Sequence, residues 1–152
     1  MRILAFSDLH CDLEQAARLT ELSADADVVI GAGDFASVHQ GLEETIDALS
    51  DITTPTVLVP GNNETETALR EAAAGWAAAT VLHGESTEIG GQIFYGLGGG
   101  IPTTPWSWSF DLDEAEAATF APFSVGDAWG PARGTTWFRM SGTVPPEMAG
   151  RR

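Results

Sequence analysis

Three apolar runs early in the chain end in the same way. RILAFSDLH (2–10), ADVVIGAGD (26–34) and PTVLVPGNNE (55–64) each pass from branched or bulky apolar residues to small ones and then to acids, amides or histidine. Runs of this length without strict alternation suit strands buried on both faces, as in a parallel sheet. Between them lie CDLEQAARLTEL, with Leu13, Ala16, Ala17 and Thr20 at helical spacing, and GLEETIDALSDI, with Leu42, Ile46 and Leu49 likewise. Asp12 followed three residues later by Gln15 marks the start of the first helix. The alternation of strand and helix predicts an α/β layered domain with a mostly parallel sheet.

A third helix is expected from NNETETALREAAAGWAAA, ending near Gly75, and a hairpin from TEIGGQIFYG around Gly90-Gly91. IPTTPWSWSF reads as a Pro- and Trp-rich loop, with Trp106 and Trp108 either lining a cleft or covering the core. DLDEAEAATF reads as a short acidic helix starting near Asp111 or Asp113. Beyond Ala121 neither a 2-residue nor a 3.6-residue period is sustained, which divides the chain into a domain over residues 1–120 and an irregular tail over 121–152.

Charge divides it at the same place. Residues 1–120 carry 20 acids against three Arg, a net of −17, whereas residues 121–152 carry two acids against four Arg, a net of +2. The chain has no Lys, which removes Walker-type phosphate loops and Schiff-base chemistry. A net charge of −15 argues against nucleic-acid and membrane partners, both of which need basic patches. It suits a protein working in high salt, where the Debye length shrinks to roughly 3 Å at 1 M, and a halophilic source is the expectation. The single cysteine, Cys11, excludes an internal disulfide and any multi-thiolate metal site. Without a signal peptide or membrane-length apolar run, a cytoplasmic protein is expected.

In an open α/β sheet, ligands bind beyond the carboxyl ends of the strands. The three strand ends should therefore bring together Asp8 and His10, Asp34, and the Asn62-Asn63-Glu64 cluster. Asp8 and His10 would share a side if the first strand continues through them. Two Asp, one His and one Asn form an oxygen and imidazole set that suits Mn, Fe or Zn, and Asp34 could bridge two ions roughly 3.5 to 4 Å apart. The competing reading is that these are turn and helix-capping residues.

SDLH, GAGDF and PGNNE, in that order at strand ends, resemble the first three motifs of the calcineurin-like metallophosphoesterases: D-x-H, G-D, and G-N-H followed by an acid. The resemblance covers about residues 1–120. It implies the layered sandwich fold of that family, present as its N-terminal part, with two divalent ions as cofactors. Asp8, His10 and Asp34 would hold one ion, and Asp34 with Asn62 the second. The implied reaction is hydrolysis of a phosphate mono- or diester through a metal-activated hydroxide, with a small phosphate-ester substrate as the partner.

Two departures bear on that implication. Asn63 stands where the family has a histidine. It would keep a phosphate contact but cannot pass a proton to the leaving group. The later Gly-His and Gly-His-x-His motifs are absent, since His10, His39 and His83 are the chain's only histidines. His39 reads as a solvated loop residue, His83 as a surface strand-end residue and Cys11 as a partly buried thiol. The GLGGGI stretch (96–101) reads as a flexible loop rather than a dinucleotide loop. The coincidence near residue 120 suggests a frameshifted or foreign tail, the alternative being a naturally shortened relative whose tail covers the sheet. Function then divides between an impaired phosphoesterase and a non-catalytic module that binds a protein partner on a degenerate fold of this type.

Overall fold

The computed structural model describes residues 1–113. Its order is β1 (Ile3–Phe6), α1 (Leu13–Ser23), β2 (Val28–Ala32), α2 (Leu42–Leu49), β3 (Thr56–Val59), α3 (Glu66–Ala72), a 3₁₀ turn (Ala73–Gly75), β4 (Ala79–Val81) and the hairpin β5 (Glu85–Ile89) and β6 (Gln92–Gly96). The first four strands form one parallel sheet in the order β1-β2-β3-β4, so helices bridge successive neighbours. Register sets Leu4 beside Val29, and Gly31 beside Leu58. The three polar strand ends therefore finish level at one edge.

One face of the sheet packs on the helices through Val29, Phe35, Ile46, Leu49, Leu58 and Leu69. Each such side chain contributes about 1.5–3 kcal/mol when fully buried. Trp76 closes this core at its far end, and its indole N–H donates to the Ile52 carbonyl at 2.8 Å. The other face is covered around β3, where the hairpin packs Phe94 and Ile89 onto Val57, Val59 and Leu82. Ile3 on the outer strand is 51% exposed.

α1 is turned relative to the face expected from its sequence. Asp12 does cap it, accepting the Gln15 N–H at 3.0 Å, but Leu13 is 48% exposed and Ala17 is exposed. The inward stripe is Ala16, Leu19, Thr20 and Ser23. The small Ala16 is fully buried in the core, on the side where α1 meets α2, whereas Leu13, in the first turn, faces outward among the described residues.

The GLGGGI stretch is not free. The Gly98 and Gly99 N–H groups donate to His83 Nδ1 and the Pro60 carbonyl, and Gly100 N–H donates to Phe110. His83 is correspondingly half-buried against the Phe110 ring rather than a surface residue. The body of the helix expected from Asp111 or Asp113 onward, and the 121–152 tail, lie outside the described residues.

Candidate metal centre

Asp8 and His10 are brought together by a loop, not by strand alternation. β1 ends at Phe6, and Asp8, His10 and Cys11 all take left-handed conformations, with φ of 58°, 45° and 66°. Asp34, Val38 and His39 do the same on the loop after β2. Non-glycine residues there cost of order 1–3 kcal/mol each and gather at functional sites. Here the backbone is held by hydrogen bonds between the two loops: Asp8, His10 and Cys11 donate to the carbonyls of Gly33, Asp34 and Phe35 at 3.0–3.1 Å.

Three ligand atoms converge as a result. Those of Asp8, His10 and Asp34 all lie within 4.8 Å of one another. His10 Nε2 is 3.9 Å from Asp8 Oδ1 and 4.0 Å from Asp34 Oδ2. Two donors on one ion at about 2.0–2.2 Å are at most about 4.4 Å apart, and both contacts of His10 Nε2 fall within that limit. The other ring nitrogen, Nδ1, lies 3.1 Å from the Ala36 carbonyl. A carbonyl only accepts, so Nδ1 carries a proton and Nε2 is the ring atom on the side of both carboxylates. Two carboxylates and an imidazole nitrogen this close together are an oxygen and nitrogen donor set of the kind a divalent cation takes.

Asp34 is fixed from the third strand end. Its Oδ1 accepts the backbone N–H of Asn62 and of Asn63 at 2.9 and 3.1 Å, which leaves Oδ2 toward His10. The loops meet at two glycines where no side chain fits. A Cβ on Gly33, whose φ is +87°, would lie 2.5 Å from Gly61, and one on Gly61 would lie 2.1 Å from Asp34 Oδ1.

Glu64 was legible only as a polar residue at a strand end. It is fully buried and clamps the loops: Oε1 accepts from Asp34 N and Gly61 N at 2.8 and 2.7 Å, and Oε2 from Ala36 N at 3.0 Å. Burial pushes its carboxyl up from the ordinary value; the Gly61 and Ala36 N–H groups oppose that rise and the Asp34 charge adds to it. Nothing in an acid beside two asparagines announces such a role before the loops are in place.

Asn62 also reaches the edge. One end of its amide faces the Asp34 carboxylate and Asn63 Nδ2, and the other faces Ser109 Oγ at 2.9 Å. Ser109 in turn donates to Asp111 Oδ1 at 2.6 Å, and Thr104 donates to Asp111 Oδ2 through both its N–H and its hydroxyl. Burial acts to raise the Asp111 pKa, but the bonds from Ser109 and Thr104 outweigh it and hold the carboxyl below its ordinary value. Sequence carried no signal for this loop's part in the site, because Ser109 lies 47 positions from Asn62.

Asn63 is 7% exposed, with its Oδ1 accepting the Val38 N–H at 2.9 Å and its Nδ2 donating to Asn62. His39 lies on this side of the site. Its backbone N–H donates to the Asn63 carbonyl at 2.8 Å, and its ring Nε2 bonds the Trp108 carbonyl. His83 sits beneath the 97–100 loop, apart from the Asp8, His10 and Asp34 cluster. Cys11 Sγ donates to the Gln40 carbonyl at 3.2 Å.

The family model of the calcineurin-like phosphoesterase superfamily domain matches residues 1–100. A second, the jelly roll domain of alpha-mannosidase, matches residues 99–152. No curated protein matches. Among solved structures, TT1561 of Thermus thermophilus superposes with a TM-score of 0.63 at 22% identity, covering 74% of this chain and 56% of that one. Another superposes at 0.61 with 13% identity, covering 74% and 59%. These likenesses show a shared fold, and the chain spans somewhat more than half the length of the structures it matches.

Proposed function

Because the chain belongs to the calcineurin-like phosphoesterase superfamily, we propose that it hydrolyses a phosphate mono- or diester at the carboxyl edge of its parallel sheet. Asp8, His10 and Asp34 hold one divalent ion of the Mn, Fe or Zn class, and Asp34 with Asn62 holds a second. The observation that carries this reading is that ligand atoms of Asp8, His10 and Asp34 gather within 4.8 Å of one another, with His10 Nε2 3.9 and 4.0 Å from the two carboxylates. When bound, such ions supply a nucleophile at neutral pH by acidifying water, and they neutralise charge on the phosphoryl oxygens.

The chain's own residues do the placing. Ala36 aims the His10 ring, the Asn62 and Asn63 amides hold Asp34, and Glu64 keeps the two loops in register. Asn63 has a second Nδ2 hydrogen beyond the one given to Asn62, which is its means of touching a phosphate oxygen. It brings no titrating proton, so the site favours esters whose leaving group departs without general-acid help.

Hydrolysis of bis(p-nitrophenyl) phosphate with Mn²⁺, by wild type and Asp34→Ala, tests the reading. The substitution is expected to lower activity by more than about 100-fold, beyond what loss of a merely supporting residue costs. Activity indifferent to Asp34 would overturn it.

A second reading, a non-catalytic interaction module, is favoured by one observation. Trp106 and Trp108 stack in parallel 5.6 Å apart beside the site, and Trp106 is 54% exposed. A chain that gains no thermal stability from Mn²⁺ would support this reading over the first.

A further inference from the structure

We propose that Ser109 and Asp111 are positioning residues that hold the Asn62 amide with its oxygen toward Asp34, the orientation that a second divalent ion requires. This rests on the two-ion reading above and adds a part of the chain to it that the strand-end motifs do not contain.

The direction of each hydrogen bond is decided at its far end by a backbone N–H, which can only donate. On one side, Thr104 N–H donates to Asp111 Oδ2 at 2.6 Å, joined by the Thr104 hydroxyl at 2.8 Å. The remaining Asp111 oxygen takes the Ser109 hydroxyl proton at 2.6 Å. Ser109 has one proton and has now given it away, so toward Asn62 its oxygen can only accept, and the Asn62 Nδ2 must face it. On the other side, Val38 N–H donates to Asn63 Oδ1 at 2.9 Å. That turns Asn63 Nδ2 toward Asn62, where it donates at 3.1 Å to Oδ1.

Both chains impose the same sense on one amide. Its oxygen then stands 3.1 and 3.2 Å from the two Asp34 carboxylate oxygens, an acceptor against two acceptors. Turned over, Asn62 would donate to Asp34 Oδ2 at 3.2 Å, the carboxylate oxygen that the Asn62 and Asn63 backbone leaves for an ion. The network thus holds Asn62 against its local preference, in an arrangement that a cation between Asn62 and Asp34 satisfies. Gly100 makes room for it, since a Cβ there would lie 2.5 Å from Asp111 Oδ1 and 3.3 Å from the Asn62 Cβ.

Asp111→Asn reverses the chain. The new amide would keep its oxygen on Thr104 N–H and present its NH₂ to Ser109, freeing the Ser109 proton to donate to Asn62 and turn it over. Mn²⁺ binding by calorimetry, with the ions counted by electron paramagnetic resonance, reads the effect. Wild type is expected to bind two ions. Asp111→Asn and Ser109→Ala are expected to keep the first and to bind the second roughly 10- to 100-fold more weakly. Adding Asn62→Asp to Asp111→Asn should restore the second ion, because a carboxylate offers oxygen whichever way it faces.

Second-ion affinity within about twofold of wild type in both single variants would overturn the proposal, as would a loss that Asn62→Asp does not rescue. Fewer than two ions in wild type would instead overturn the two-ion reading, and this inference with it. Ser109→Ala, which removes one hydroxyl, decides the matter if circular dichroism shows Asp111→Asn to be unfolded.

Discussion

The buried carboxylate of Glu64 accepts the backbone N–H of Asp34 at 2.8 Å, so the residue at the centre of the candidate site is held by its main chain from the neighbouring strand end. The same carboxylate takes the N–H groups of Gly61 and Ala36.

Removing it should be severe. Glu64→Ala leaves three N–H groups without partners, two of them on the loop that carries Asp34, and unsatisfied buried donors cost about 1–3 kcal/mol each before relaxation. A loss of at least about 3 kcal/mol in urea unfolding is expected. Glu64→Gln keeps one oxygen acceptor and should lose roughly half as much. Equal, small effects from both substitutions would show that the clamp does not hold the loops.

Gly61→Ala tests the closeness of the loops. Its Cβ would fall 2.1 Å from Asp34 Oδ1 and 2.2 Å from Asp34 N, so the carboxylate must leave its place. About 1–3 kcal/mol of stability should go with it, together with Mn²⁺ affinity. Gly75→Ala is the control: nothing lies within 4 Å of its Cβ, and it should be neutral or stabilising by up to about 1 kcal/mol. Metal titration and thermal unfolding of the two variants give the comparison.

Asp111 predicts a dependence on acid. Its folded pKa is depressed, so the unfolded chain binds the proton first as pH falls. The stability it contributes is present above the unfolded value of about 3.9 and disappears as pH drops through the lower folded value. The difference in unfolding free energy between wild type and Asp111→Asn should therefore narrow below about pH 4. A gap unchanged between neutral pH and about pH 3 would contradict the assignment.

The excess of acid in residues 1–120, 20 against three Arg, predicts stabilisation by salt. Repulsion among exposed carboxylates is screened as the Debye length falls from about 10 Å at 0.1 M to about 3 Å at 1 M. The unfolding midpoint should rise across that range in KCl. A flat or falling midpoint would remove the halophilic expectation.

The parallel sheet, the three helices, the hairpin at Gly90-Gly91 and the meeting of Asp8, His10 and Asp34 were all legible in residue order. Apolar runs, helical spacing and the rule that polar groups gather at carboxyl edges depend on local pattern and chain direction, both of which are linear properties. Leu13 was misplaced because helical spacing reports a periodic stripe but not which part of it the sheet covers. Strand alternation was the wrong reason for joining Asp8 to His10. Left-handed backbone at both residues, stabilised by the loop after β2, cannot be inferred from side-chain type.

Residue order thus places Asp8, His10, Asp34 and Asn62 at the edge, because each comes just after a strand. How they are held there depends on the packing of the loops. Glu64, Ser109 and Asp111 act through hydrogen bonds between segments far apart in the chain. The direction of such a bond depends on which proton each partner has left to give, and that is settled only when the loops close on one another.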